Sequence, residues 1–171
     1  MRLNETHPMN EQVLRHLRSR SRHDGSVDSI FIPIQHRDAD IENCHPDVLY
    51  RVWHTLGSSL PLPAEGNVPG EGFAILKRVD PRALVYNTPV LLHPVEGVVL
   101  AFCYSMQYII RVPEESLNEA LEAGCKTEMV WAQGEKTDLK KELGDNWVFG
   151  HWVDDEERWL KQVYQQCADN P

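Results

Sequence analysis

From Leu84 to Val112 the chain is apolar and patterned at period two, and no other stretch limits the fold as strongly. It reads LVYNTPVLL, then HPVEG, then VVLAFCYSMQYIIRV. From Val98 the even positions are Val98, Leu100, Phe102, Tyr104, Met106, Tyr108, Ile110 and Val112, all apolar or aromatic. Successive strand side chains point to opposite faces, so this set predicts one continuous buried face. The odd positions, Val99, Ala101, Cys103, Ser105, Gln107, Ile109 and Arg111, are smaller or more polar. They leave their own face open between a covered layer and a solvated groove.

Pro94 and Gly97 suit the loop of a β-hairpin. Pro89 cannot donate to a ladder, so a bulge or an edge is expected there. A strand of fifteen residues (98–112) exceeds the usual length of about 3–10. A bend or bulge is therefore expected near Ser105.

Around this hairpin the other elements follow from spacing. Met9, Val13, Leu14 and Leu17 predict a helix over 9–20, with residues 1–28 as an N-terminal helical appendage. Ser29–Gln35 and Phe73–Val79 read as strands. Pro46 opens a helix whose apolar residues are Val48, Leu49, Val52, Trp53 and Leu56, closed by Gly57. Residues 58–72 are rich in Pro and Gly and read as a long loop. Pro113 opens a helix ended by Gly124, residues 126–132 read as a strand, and 137–143 as a helical turn or two. The segment 146–153 reads as extended. A last helix starts at Asp154, with Trp159, Leu160, Val163, Tyr164 and Cys167 on one face. Consecutive strands joined by hairpins imply an antiparallel sheet. The expectation is a single α+β domain over 1–171, built on the central hairpin at 84–112 with helices packed on one face.

Charge adds a partner class. The net charge is −9, but residues 1–23 carry five Arg against two Glu, whereas residues 113–171 carry six basic against fourteen acidic side chains. An acidic surface disfavours general nucleic-acid binding, which needs clustered Lys and Arg. It suits a basic protein partner. The longest apolar run, Val98–Tyr104, is far short of the roughly 18 residues of a membrane span. Four widely spaced cysteines (Cys44, Cys103, Cys125, Cys167) form no CxxC pair, which fits reduced thiols in a cytoplasmic protein.

No phosphate-binding glycine loop, GxSxG, HExxH or dinucleotide fingerprint occurs. The densest polar group is His36, Asp38, Cys44, His45 and His54. Imidazole and carboxylate are usual zinc or iron ligands, but this spacing matches no closed site, and ordinary loop polarity explains the group better. His36, Asp38, His45 and His54 stand as a weak metal set that would need His93 or His151 to complete it. A general acid–base pair could be drawn from His54 or His93 with Glu65, Glu71 or Glu96. A Cys103–His93 nucleophile pair is also conceivable, although Cys103 reads foremost as a packed strand residue.

The expected function is therefore binding rather than catalysis, with no cofactor. The chain reads as a bacterial or phage intracellular protein-binding inhibitor, such as an immunity or anti-defence protein, that neutralises its partner through an acidic surface. The expected contacts are Glu114, Glu115, Glu119, Trp152, Asp154, Asp155, Glu156 and Glu157. Trp152 is expected to be partly exposed, and Trp147 and Trp159 to be buried. The second expectation is a small, metal-dependent enzyme with its site on the loops around 36–72.

Overall fold

In the computed structural model, which describes residues 3–20, 44–61 and 81–169, the dominant apolar stretch folds into four strands rather than two. These are β1 (Arg82–Val85), β2 (Thr88–Leu92), β3 (Val99–Tyr104) and β4 (Gln107–Arg111). Tyr86 and Asn87 both take positive φ and form the two-residue turn between β1 and β2, the geometry that matches the twist of paired strands. A second two-residue turn at Ser105–Met106 reverses the chain where a bend was expected, and pairs Tyr104 with Gln107. Strand β7 (Trp147–Phe149) completes a five-stranded antiparallel sheet in the order β1-β2-β3-β4-β7. Strands β5 (Glu128–Val130) and β6 (Lys136–Asp138) form a separate small hairpin. Pro89 lies outside the β2–β3 ladder, which begins at Val90.

The helices are α1 (Glu11–Arg20), entered through a 3-10 turn at Pro8–Asn10, α3 (Leu117–Glu122), α4 (Leu139–Leu143) and α5 (Asp155–Asp169). Between α1 and α3, one continuous helical segment, α2, runs through an α-turn at Pro46–Leu49, π-helical turns at Tyr50–Leu56 and an α-turn at Gly57–Ser59. His45 caps it, its Nδ1 accepting from the Asp47 amide at 3.1 Å. The α+β class and the antiparallel sheet are as expected. The expected strands at 29–35 and 73–79, most of the 58–72 loop, and His36, Asp38, Glu65 and Glu71 lie outside the described residues.

The even-numbered face is not continuous. Leu92 pairs with Val99 but Leu91 with Ala101, so Leu100 is an extra residue in β3. A bulge of one residue inverts the facing of everything beyond it. Val98 and Leu100 therefore join one core, whereas Phe102 joins the other and Tyr104 packs against it. The turn at Ser105–Met106 separates Tyr104 from the next even residues, and Tyr108, Ile110 and Val112 return to the first core. Met106 is left 66% exposed at the turn.

The odd face is covered too: Val99, Ala101, Cys103, Ile109 and Arg111 are all buried. The expected helical layer is formed by α2, α3 and α5, whose Trp53, Leu56, Ala120, Trp159, Leu160 and Val163 share a cluster with Leu84, Leu91 and Ile110. The opposite face is covered as well, by Leu3, by Val13 and Leu17 of α1, and by Leu139 and Leu143 of α4. Strands that are apolar at nearly every position need such two-sided cover.

Polar side chains hold residues 3–20 to the sheet. Asn10 is fully buried; its Nδ2 donates to the carbonyls of Asn4 (2.7 Å) and Gly97 (2.8 Å), and its Oδ1 accepts from the Val99 amide (2.9 Å). Arg111 donates to Val99 O (2.7 Å) and Met9 O (2.6 Å) and lies on the Trp147 ring. Desolvation lowers its guanidinium to about 10, so it remains charged at neutral pH.

His16 of α1 is buried beside Phe102 and Tyr104, and neither ring nitrogen has a hydrogen-bond partner among the described residues. The Glu142 carboxylate stands 3.7 Å away. Burial first, then Arg20, lowers its pKa to about 4, against the opposing pull of Glu142. Between about pH 6.5 and 4 the unfolded chain binds a proton here that the folded chain refuses. Stability at this site is therefore complete above pH 6.5 and lost as pH falls towards 4. The loss is on the order of 3 kcal/mol. We expect His16→Phe to flatten this part of the stability–pH curve relative to wild type, measured by urea unfolding across that window. Parallel curves for the two proteins would show that His16 does not carry the dependence.

Candidate functional site

Glu156 is the third acid of the run Asp154–Glu157, yet its side chain is fully buried. Its helix phase explains this: Trp159, Leu160 and Val163 lie three, four and seven residues on, so position 156 points into the core with them. A carboxylate there must be paired or neutralised. Arg51 of α2 meets Oε1 at 2.6 Å, and the Tyr108 hydroxyl of β4 donates to the same oxygen at 2.5 Å. Oε2 accepts from the His151 amide at 2.7 Å and, weakly, from the Cys125 thiol at 3.9 Å.

The protonation states agree with these roles. Burial alone would lower the Arg51 guanidinium, but Glu156 and Tyr108 outweigh it and hold the group above its ordinary value. Burial and then the Glu156 charge push the Tyr108 hydroxyl far up, so it remains a donor. The Cys125 thiol is pushed up to about 12 by burial first and by Glu156 second, so it stays protonated. Every atom of the carboxylate is thus served by a group that keeps its proton or its positive charge near neutral pH.

This node fixes the segment between β7 and α5. The Gly150 amide donates to Tyr108 O at 2.8 Å, the His151 amide to Glu156, and the Trp152 amide to the Tyr108 hydroxyl at 2.7 Å. Val153 O accepts from Arg51 at 2.8 Å. A Cβ at Gly150 would sit 1.9 Å from the Tyr108 ring, so only glycine allows this approach. A Cβ at Gly124, at the end of α3, would in the same way strike the His151 ring.

The outcome is an unusual placement of Trp152. Its φ is +59°, left-handed backbone that a bulky aromatic residue rarely adopts. The residue is 48% exposed, its ring standing edge-on to Tyr108 at 5.2 Å with the Arg51 guanidinium 5.8 Å from the ring centre.

The predicted acids other than Glu156 are spread along α5 rather than gathered at Trp152. Packing of α3 against α5 joins Glu115 to Gln166 (3.2 Å) and Ser116 to Gln162 (3.5 Å). Glu119 bonds the Arg158 guanidinium and accepts from Trp159 Nε1 at 2.9 Å. Those bonds, Arg158 first, lower the pKa of Glu119. Glu114, Asp154 and Asp155 are exposed and Glu157 is half-buried. A shallow depression of about 520 Å³ runs along α5, lined by Asp154, Glu157, Arg158, Lys161, Gln162 and Gln165. Glu156 faces the opposite way and is no part of this surface. Trp147 and Trp159 are buried.

The metal and catalytic sets are not assembled among the described residues. His45 is spent on the α2 cap and His54 stacks on Tyr50 at 4.7 Å. His93 is buried, its Nδ1 accepting from the Val95 and Glu96 amides and its ring stacked on Tyr164. It shapes the β2–β3 turn, while Cys103 is buried in the core cluster against which Cys44 packs. No group of three or more His, Cys, Asp or Glu able to hold a metal occurs among the described residues. The residues that sequence reasoning missed are Arg51 and Tyr108. Neither is marked in the sequence, since each sits inside an apolar run. Glu156 was expected as a surface contact and is interior instead; its phase with Trp159, Leu160 and Val163 was the signal that could have placed it there.

Breaking a buried ion pair from one side costs about 3–5 kcal/mol. We expect Glu156→Gln to lose stability on that scale, and the Trp152 near-ultraviolet circular dichroism signal to collapse with it. A variant with wild-type urea midpoint and signal would show that the node does not hold the 150–153 segment.

No family model matches the chain, no curated protein matches it, and no solved structure matches it, so its own residues carry the functional reading.

Proposed function

We propose that the protein works by binding a basic protein partner through Trp152 and the carboxylates beside it, and that it inhibits that partner, as an immunity or anti-defence protein does. The observation that carries this reading is Trp152: half-exposed, left-handed in backbone, and fixed through residues 151 to 153 by the buried Glu156 carboxylate and its partners Arg51 and Tyr108. Fixing an exposed aromatic in one pose removes ordering cost from a binding event. Tryptophan is also the residue type most enriched among interface hot spots. Asp154, Asp155 and Glu157 lie beside Trp152, and Glu119, Glu115 and Glu114 extend the negative charge along α5, a field that would steer a basic partner. Arg158, paired with Glu119 and Asp155, and Lys161 cancel two of these charges and leave the surface net acidic.

All four cysteines are free, which supports a reducing compartment such as the cytoplasm. No helix among the described residues is long and apolar enough to cross a membrane. The alternative of a small metal-dependent enzyme draws no comparable support. Of its four candidate ligands, His45 and His54 serve local structure, and His36 and Asp38 lie outside the described residues.

With the partner purified from the native host, Trp152→Ala is expected to weaken binding roughly 30-fold or more, the scale of a hot-spot truncation. The pair Asp154→Asn and Glu157→Gln should instead slow association and reduce its salt dependence, with little effect on dissociation. Binding that ignores both Trp152 and salt would overturn the reading.

A further inference from the structure

We propose that Cys44 and Cys103 join in a disulfide when the protein meets a peroxide, making the start of α2 a redox-sensitive clasp on the β3–β4 hairpin. The inference stands apart from the partner reading.

Cys44 lies one residue before the α2 cap and forms a parallel bridge with Ser105. The bridge is held by the His45 amide, which donates to Ser105 O at 3.0 Å. Cys103 lies two residues before Ser105, so its side chain leaves the strand on the face that Cys44 covers. Cys44 packs against the core cluster that contains Cys103, and its thiol donates to the His45 carbonyl at 3.7 Å. The other cysteines are placed differently: Cys125 is turned to Glu156 and Cys167 lies beside Arg111.

The two thiols also differ in access, which sets the order of events. Cys44 is half-buried and can be reached from solvent, whereas Cys103 is 2% exposed. Burial first, and then Cys44, raises the Cys103 thiol well above its ordinary value, so it waits in the protonated form.

In the first step the Cys44 thiolate attacks one peroxide oxygen. The O–O bond breaks, the sulfur becomes a sulfenic acid, and hydroxide leaves and is protonated to water. In the second step the Cys103 sulfur attacks the Cys44 sulfur. The S–S bond forms, the S–O bond breaks, and the departing hydroxide takes the Cys103 proton as a second water. Two thiols lose two electrons and one peroxide gains them. Cys103 is the diagonal rather than the directly opposite neighbour of Cys44, so closure to about 2.05 Å requires the backbone at Cys44 to move towards β3. Cys44 can make this movement because it lies outside the helix.

The test is direct because trypsin leaves each cysteine in its own peptide: 38–51, 83–111, 112–126 and 162–171. The full-length protein is treated with hydrogen peroxide, blocked with N-ethylmaleimide and digested without reductant. We expect a linked 38–51/83–111 species that dithiothreitol abolishes, and a melting temperature that rises on oxidation and falls back on reduction. Cys44→Ser, at a half-buried position, should remove the linked species and the rise together while the reduced protein melts as wild type. Cys103→Ala serves as a second variant if it folds. The proposal is overturned if peroxide carries Cys44 to sulfinic acid without the link. A linkage to 112–126 or 162–171, or a dimer between Cys44 residues of two chains, overturns it equally.

Discussion

A carboxylate taken fully out of water costs several kcal/mol unless opposite charge and hydrogen bonds replace its hydration. Glu156 meets that condition with groups from four different parts of the chain: Arg51 on α2, Tyr108 on β4, the His151 amide after β7, and Cys125 after α3. None of these is near another in sequence, so the node forms only when the helical layer and the sheet have closed. It therefore reports, and enforces, the relative placement of α2, α3, α5 and the end of the sheet. Apolar packing alone would hold the same layers together but would not select one rotation of the 150–153 segment. The buried pair selects it, by demanding two specific amides and one specific carbonyl.

That demand links the interior to the surface. Left-handed backbone at Trp152 costs on the order of 1–3 kcal/mol for a non-glycine residue, and it persists because the hydrogen bonds of residues 150 to 153 over-determine it. The exposed indole and the neighbouring acids of α3 and α5 are thus presented on a rigid base. In a chain with no catalytic motif, this coupling of a buried charge to an exposed aromatic is the most specific arrangement among the described residues. The proposed recognition role rests on this coupling.

Much of the architecture was legible in the sequence because it rests on local periodicity. The helices at 11–20, 46–59 and 155–169, and the turn at 93–97, follow from apolar spacing and from Pro46 and Gly97. The hairpin at 84–112 was legible as extended chain but not as four strands. Tyr86–Asn87 and Ser105–Met106 lack the glycine that marks most such turns. The excessive length of the second strand was the visible symptom. Register was beyond reach altogether. The extra residue at Leu100 is a property of the β2–β3 pairing, and it sent Phe102 and Tyr104 to the face opposite Val98 and Leu100.

The sequence by itself determined the class, the existence of the main elements and the location of negative charge. These depend on the order of residue types along a few turns or a few strand positions. Only the tertiary structure decided which groups pair with the interior acid, that both sheet faces are covered, and that Cys44 lies against the β3–β4 hairpin. Those outcomes depend on contacts between residues from about 30 to more than 100 positions apart, as with Arg51 and Glu156, whose partners carry no mark of each other in the chain. The long stretch at 84–112 shows both sides: period two requires strands there, and pairing alone determines where each of its side chains points.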